Sequence, residues 1–162
     1  MLYKISIIGA GNLGLSLAKG LVESGNYQPK QFHLSRRRIE KLTSFKNEGY
    51  IVTSNNLEAI QNAKLIILAV LPQKINAVLE ELKTKITSNQ LVISLVSGVS
   101  ISEIQAIIGN EIPIIRAMPN TAIAIRESMT CISTTIKWED KLNEVEELFN
   151  LVGETAIINE EK

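Results

Sequence analysis

The sequence predicts a doubly wound, mostly parallel α/β sheet. Three observations carry this: short runs rich in Ile, Leu and Val, segments of helical period between them, and few aromatics (4%) within a hydrophobic content of 45%. Parallel strands that follow one another in sequence need crossovers, and the helical segments supply them.

A strand is expected over residues 3–8 and a helix over 12–24, with Leu13, Leu17, Leu21 and Val22 on one face and Gly25 as its stop. Residues 31–35 read as the second strand, 38–47 as a helix ending at Gly49, and 50–53 as the third strand. A short helix over 57–61 leads to a fourth strand over 65–70. A helix over 74–84, with Ile75, Val78, Leu79 and Leu82 inward, leads to a fifth over 91–95. A helix over 102–108, capped by Ser100 or Ser102, precedes a sixth strand over 112–117. The rhythm then changes to a strand over 128–136, a helix over 138–151 striped by Leu142, Val145, Leu148 and Phe149, and a last strand over 154–158.

A chain of 162 residues is expected to form one compact domain. Lys plus Arg balances Asp plus Glu at 17 each, so no overall field draws it to nucleic acid or to an anionic membrane. A small-molecule partner fits better. The apolar run over 65–71 is interrupted by Pro72, Gln73 and Lys74, far short of a membrane span. No basic segment precedes the first strand, as a signal peptide would require, and Cys131 is the sole cysteine, so no intrachain disulfide forms. A cytoplasmic location is the expectation, with Cys131 as a small buried hydrophobe.

Gly9-Ala10-Gly11-Asn12-Leu13-Gly14 spells G-x-G-x-x-G directly after the first strand and opens an amphipathic helix. That setting is the one the dinucleotide fingerprint needs, and it predicts a Rossmann-type dinucleotide-binding domain. Gly9 allows the tight turn, Gly11 lets the backbone approach a pyrophosphate, and Gly14 brings helix and strand together. The amides at the helix N-terminus then face the phosphates.

The second strand ends in Ser35-Arg36-Arg37-Arg38, where an NAD-binding domain ordinarily places a carboxylate for the ribose hydroxyl. Planar guanidinium donors suit a phosphate dianion, so NADP is inferred over NAD, which stays possible, with Ser35 and Arg36 as the direct contacts. The bland alternative, three arginines solvating a helix start, opposes the helix dipole. His33, inside the strand and away from other titratable groups, reads as structural.

Four further segments are expected at the carboxyl ends of strands: Asn55-Asn56, Ala69-Val70-Leu71-Pro72, Leu95-Val96-Ser97-Gly98 and Met118-Pro119-Asn120-Thr121. Singly, Pro72 ends a strand, Gly98 turns, and Asn56 caps a helix. Together they form an uncharged lining that suits a flat ring and a sugar. They offer no acid/base pair, so no catalytic residue and no metal ligand is assigned.

Arg116-Ala117-Met118-Pro119-Asn120-Thr121, followed by Glu127-Ser128-Met129-Thr130, resembles the R-x-M-P-N-T signature and the E-G-M-T follow-on of pyrroline-5-carboxylate reductases. The glycine turn, Asn56, the A-V-x-P step at 69–72 and Ser97-Gly98-Val99 fall in the family's order and spacing. The resemblance implies reduction of the C=N bond of 1-pyrroline-5-carboxylate to L-proline, the last step of proline synthesis, with hydride from NADPH or sometimes NADH. It also implies cofactor contacts at Ile8, Gly9, Ala10, Gly11, Asn12 and Leu13, at Ser35 and Asn56, at Ala69, Val70, Leu71 and Pro72, and at Leu95, Val96 and Ser97. Asn120 is the residue expected nearest the nicotinamide.

Three departures accompany the resemblance. Leu71 replaces the usual lysine of A-V-K-P, which removes a cation beside the cofactor. Ala122 replaces the proline of M-P-N-T-P, which is expected to loosen that loop. The helical domain that makes the family's dimer and completes its substrate pocket does not follow Lys162. The chain is therefore expected to be the cofactor-binding half of a homodimer or higher oligomer, poor in turnover by itself. The alternatives are another NADP-dependent reductase with this cofactor domain and a non-catalytic NADPH-binding module.

Overall fold

The structure, a computed structural model, describes residues 3–160. Among them β1 (Ile5–Ile8), β2 (Phe32–Ser35), β3 (Ile51–Thr53), β4 (Leu65–Leu68), β5 (Leu91–Ser94), β6 (Ile114–Met118), β7 (Ser128–Thr134) and β8 (Gly153–Ile157) make one sheet. Its order is β3-β2-β1-β4-β5-β6-β7-β8. The β6–β7 pair is antiparallel and the other pairs are parallel. The predicted fold class is the one observed.

Side chains alternate across each strand, so two cores form on opposite faces. Ile5, Ile7, Leu65 and Ile67 join the core under α1 (Asn12–Glu23) and α6 (Leu142–Asn150), while Ile8, Ile66 and Leu68 join the other. That second core lies under α3 (Asn56–Ile60), α4 (Ile75–Leu82) and α5 (Ile101–Ile108). Strands buried on both faces read as continuous apolar runs, which is why they were visible in sequence.

Several boundaries differ from the sequence reading. The 38–47 helix is a 3-10 turn, Ile39–Leu42, followed by the short α2 (Thr43–Asn47), with Leu42 fully buried and its backbone out of α geometry. The helix before β8 likewise begins as a 3-10 segment, Ile136–Lys141, kinked at Trp138. Ser100 is the cap of α5, accepting from the Glu103 N–H at 3.1 Å, so that helix starts at Ile101. β6 starts only after Pro113, which has no N–H to give the ladder.

The chain reverses between β6 and β7 through a 3-10 turn, Thr121–Ile125, and returns through α6 to β8. β8 can lie beside β7 only because residue 153 is glycine. Gly153 has φ +146°, and a Cβ there would collide with the Ser128 carbonyl oxygen.

His33 is half-buried on β2, and loss of solvation, with the charge of Lys4 nearby, pushes its pKa from 6.5 down to about 4. The ammonium of Lys4 is held elsewhere, donating to the carbonyls of Glu58 (3.2 Å) and Gln61 (2.7 Å) at the end of α3. The unfolded chain therefore binds a proton at His33 more readily than the folded one between about pH 6.5 and pH 4. Stability is whole above that window and declines as pH falls through it. Urea unfolding should show wild type losing more stability than His33→Gln between about pH 7 and pH 5. Parallel losses would contradict this placement of His33.

Candidate functional site

The carboxyl ends of β1 through β6 converge on one rim, and the glycine turn sits at its middle. The N–H groups of Gly9 (3.0 Å) and Ala10 (2.9 Å) both donate to the carbonyl of Ser35, and the Gly11 N–H donates to the Gly9 carbonyl at 2.7 Å. Gly9 has φ +80°, and a Cβ on it would lie 2.9 Å from the backbone N and Cα of Val70. At Gly14 a Cβ would meet the Ile7 side chain at 2.9 Å and Ala69 Cβ at 3.3 Å, so helix and sheet touch there.

Gly11 differs from both. Its φ of −94° suits any residue, and a Cβ would find only the Gly9 carbonyl, at 3.9 Å. The protein leaves open space over this position. Gly11 is the N-cap of α1, which has no capping side chain and no acid in its first turn. The first amides of this twelve-residue helix have no partner among the described residues and border that space.

At the end of β2, Ser35 is fully buried and its hydroxyl donates to Asn56 Oδ1 at 2.5 Å. Asn56 is the first residue of α3; the cap of that helix is Asn55, whose side chain accepts from Leu57 (3.0 Å) and Glu58 (3.2 Å). The half-buried Arg36 leans back over the turn, its Nη1 donating to the Ala10 carbonyl at 3.4 Å, while Arg37 and Arg38 stand exposed. Among the described residues none of the three is in an ion pair.

On the other side of the turn, Ala69 and Val70 are half-buried, while Leu71 (61% exposed), Pro72 and Ser97 face solvent. Ile8, Ala10, Leu95 and Val96 bury their side chains in the cores, so only their backbones are available at the rim. Beyond β6, a cleft of 420 Å³ opens between α1 and the following turn, lined by Asn12, Leu13, Ser16, Pro119, Asn120 and Thr121 among others. Ser16 was not singled out in the sequence; its spacing of four from Asn12, one turn along the same face, is the signal that finds it.

The turn after Asn120 is not loose, contrary to the expectation from Ala122. Asn120 caps the 3-10 segment Thr121–Ile125, its Oδ1 accepting from the Ala122 N–H at 3.0 Å. A larger groove of 810 Å³, between Asn55 and Gln90, lies along α3 and the loops entering β4 and β5. It lacks the glycine turn and the open helix terminus. The rim, not the larger void, has the geometry of a ligand site.

A family model described as NADP oxidoreductase coenzyme F420-dependent matches residues 4–98, from the start of β1 past the end of β5. The chain belongs to this family. Among curated proteins the chain is similar to pyrroline-5-carboxylate reductase 2 of Dictyostelium discoideum, 42% identical over 173 residues that cover 97% of this chain and 58% of the relative. Among solved structures it resembles a pyrroline-5-carboxylate reductase from Coxiella burnetii, with a TM-score of 0.89 and 33% identity over 98% of this chain and 59% of that one. It also superposes on a pyrroline carboxylate reductase from Plasmodium falciparum with NADP bound, at a TM-score of 0.86 and 24% identity over 98% of this chain and 58% of that one. At that identity the last likeness speaks for the fold. The chain spans about three-fifths of the length of these Dictyostelium and Coxiella relatives, corresponding to their N-terminal part.

The residues that the family match spans include the glycine turn, Arg36, Asn56 and the step at 69–72; Asn120 lies outside it. Gly11 offers a clean test of whether the open space serves a ligand or the fold. Gly11→Ala should cost about 1 kcal/mol of unfolding free energy, alanine being a poorer N-cap than glycine, while weakening dinucleotide binding more than about tenfold by filling the approach to the helix amides. Calorimetric titration beside urea unfolding measures both. Unchanged binding would mean that no ligand reaches the turn.

Proposed function

We propose that this chain is the cofactor-holding half of an NADPH-dependent reductase whose substrate is the cyclic imine 1-pyrroline-5-carboxylate. The observation that carries the reading is the open space over Gly11, bounded by unclaimed α1 amides on one side and the Arg36 guanidinium on the other. This donor set fits a dinucleotide with a phosphate on its adenosine ribose. The α1 amides take the pyrophosphate, and Arg36 takes the 2′-phosphate, supported by the field of Arg37 and Arg38. Asn56, held by the buried Ser35, orients the same ribose, and the backbone over 69–72 and 95–97 lines the path toward β6.

Bound NADPH supplies the hydride for the imine carbon. This chain's residues orient the dinucleotide and exclude water along its length. Reduction of C=N also consumes a proton at nitrogen, and the rim carries no acid placed to give one. The rest of the pocket then belongs to the part of the relatives' length that this chain does not match. The same resemblance supports a dimeric or larger parent protein. Among the described residues no helix is long and apolar enough to cross a membrane; a cytoplasmic setting for the reaction is part of this proposal. The 162-residue chain should bind NADPH while reducing the imine poorly or not at all.

The substrate reading rests on the Dictyostelium and Coxiella relatives, and the cofactor reading on Arg36. Titration of wild type and Arg36→Ala with NADPH and NADH tests the latter. Loss of a charged contact to the 2′-phosphate should cost about 1.5–3 kcal/mol with NADPH and leave NADH nearly unaffected. An unchanged preference would remove Arg36 from the phosphate site.

A further inference from the structure

The turn that carries Asn120 is held by two hydrogen bonds that the motif residues at the same positions could not make. Ala122 stands where M-P-N-T-P has its second proline, and its N–H is the donor to Asn120 Oδ1. A proline has no N–H. Ser128 stands where E-G-M-T has glycine, and its Oγ accepts from the Asn120 N–H at 3.2 Å. A glycine has no hydroxyl. Ser128 is 2% exposed, and its Oγ lies 3.1 Å from the hydroxyl of Thr130, which is fully buried beside it on β7.

The Ala122 bond settles which way the Asn120 side-chain amide faces, and the Ser128 bond holds the backbone N–H of the same residue. With Oδ1 claimed by the Ala122 N–H, the other amide atom, Nδ2, has no partner among the described residues. Asn120 is exposed and lines the 420 Å³ cleft opposite Asn12 and Leu13. It thus presents a donor on the β6 side of the glycine turn, while Arg36 lies on the β2 side. A dinucleotide with its adenosine toward β2 and its pyrophosphate on α1 extends its far end toward β6.

We propose that the Ser128 hydroxyl and the Ala122 N–H are positioning groups that aim Asn120 Nδ2, as a hydrogen-bond donor, at a carbonyl oxygen on the nicotinamide end of the dinucleotide. The inference rests on the cofactor reading above. Ser128 touches no ligand and acts only through Asn120.

The test compares two ligands on the intact chain by calorimetric titration: NADPH, and 2′,5′-ADP, which has the adenosine and its 2′-phosphate but no nicotinamide. Ser128→Gly should weaken NADPH roughly threefold to tenfold and leave 2′,5′-ADP unchanged. Asn120→Asp keeps the oxygen that caps the turn and removes the donor, so it should show the same selective loss without disturbing the fold. An unchanged ratio of the two affinities in either variant would overturn the proposal. Equal loss of both ligands would do so too, since it marks the position as merely structural. Failure of wild type to bind 2′,5′-ADP would instead overturn the cofactor reading, and this inference with it.

Discussion

The carbonyl oxygen of Ser35, accepting from both Gly9 and Ala10, is the contact on which the functional end of this molecule depends. It ties the turn leaving β1 to the end of β2, in a conformation with positive φ at Gly9 and no room for a side chain against Val70. Once that turn is fixed, α1 must begin at Asn12 and its free amides must face the rim. The same residue's hydroxyl holds Asn56, so one buried serine organises the glycine turn through its backbone and the start of α3 through its side chain. No charged group is needed for either task, and the charged group nearby, Arg36, remains available to a ligand.

The sheet order explains why the rim is a crevice. β1 lies between β2 and β4, and the chain crosses to opposite faces on its way to each, so the loops after β1 and β4 part above the sheet. Arg36 lies to one side of that parting, and the Asn120 cleft lies to the other. The antiparallel β7 and the edge strand β8 play a different part. They cover the far end of the α1 core and, through Ser128, brace the turn that follows β6.

Much of the fold was legible because buried parallel strands leave continuous apolar runs, and glycines at φ > 0 leave gaps in helical patterns. The glycine turn was legible for the same reason, since its residues do their work through backbone geometry that only certain residue types permit. What escaped the sequence was conformational competition at helix starts. At 38–47 and 138–151 the apolar period continues smoothly, yet the first turns are 3-10 segments, and periodicity does not report that difference. The role of Ala122 escaped for a related reason. Losing proline reads as losing rigidity, whereas here it restores an N–H that Asn120 Oδ1 caps. Ser35 stood out as a candidate by its place at the strand end. Its full burial and its bond to Asn56 did not, because they depend on how α3 packs over β2.

The central claim is that the β1–α1 turn and the two flanking rims bind one extended dinucleotide. Backbone amide NMR of the 162-residue chain during titration with NADPH tests it most directly. The amides of Gly11, Asn12 and Leu13 should shift together with those of Arg36 and Asn120, in a single saturable transition. Shifts confined to the larger groove between Asn55 and Gln90, or absent from Gly11 to Leu13, would contradict it.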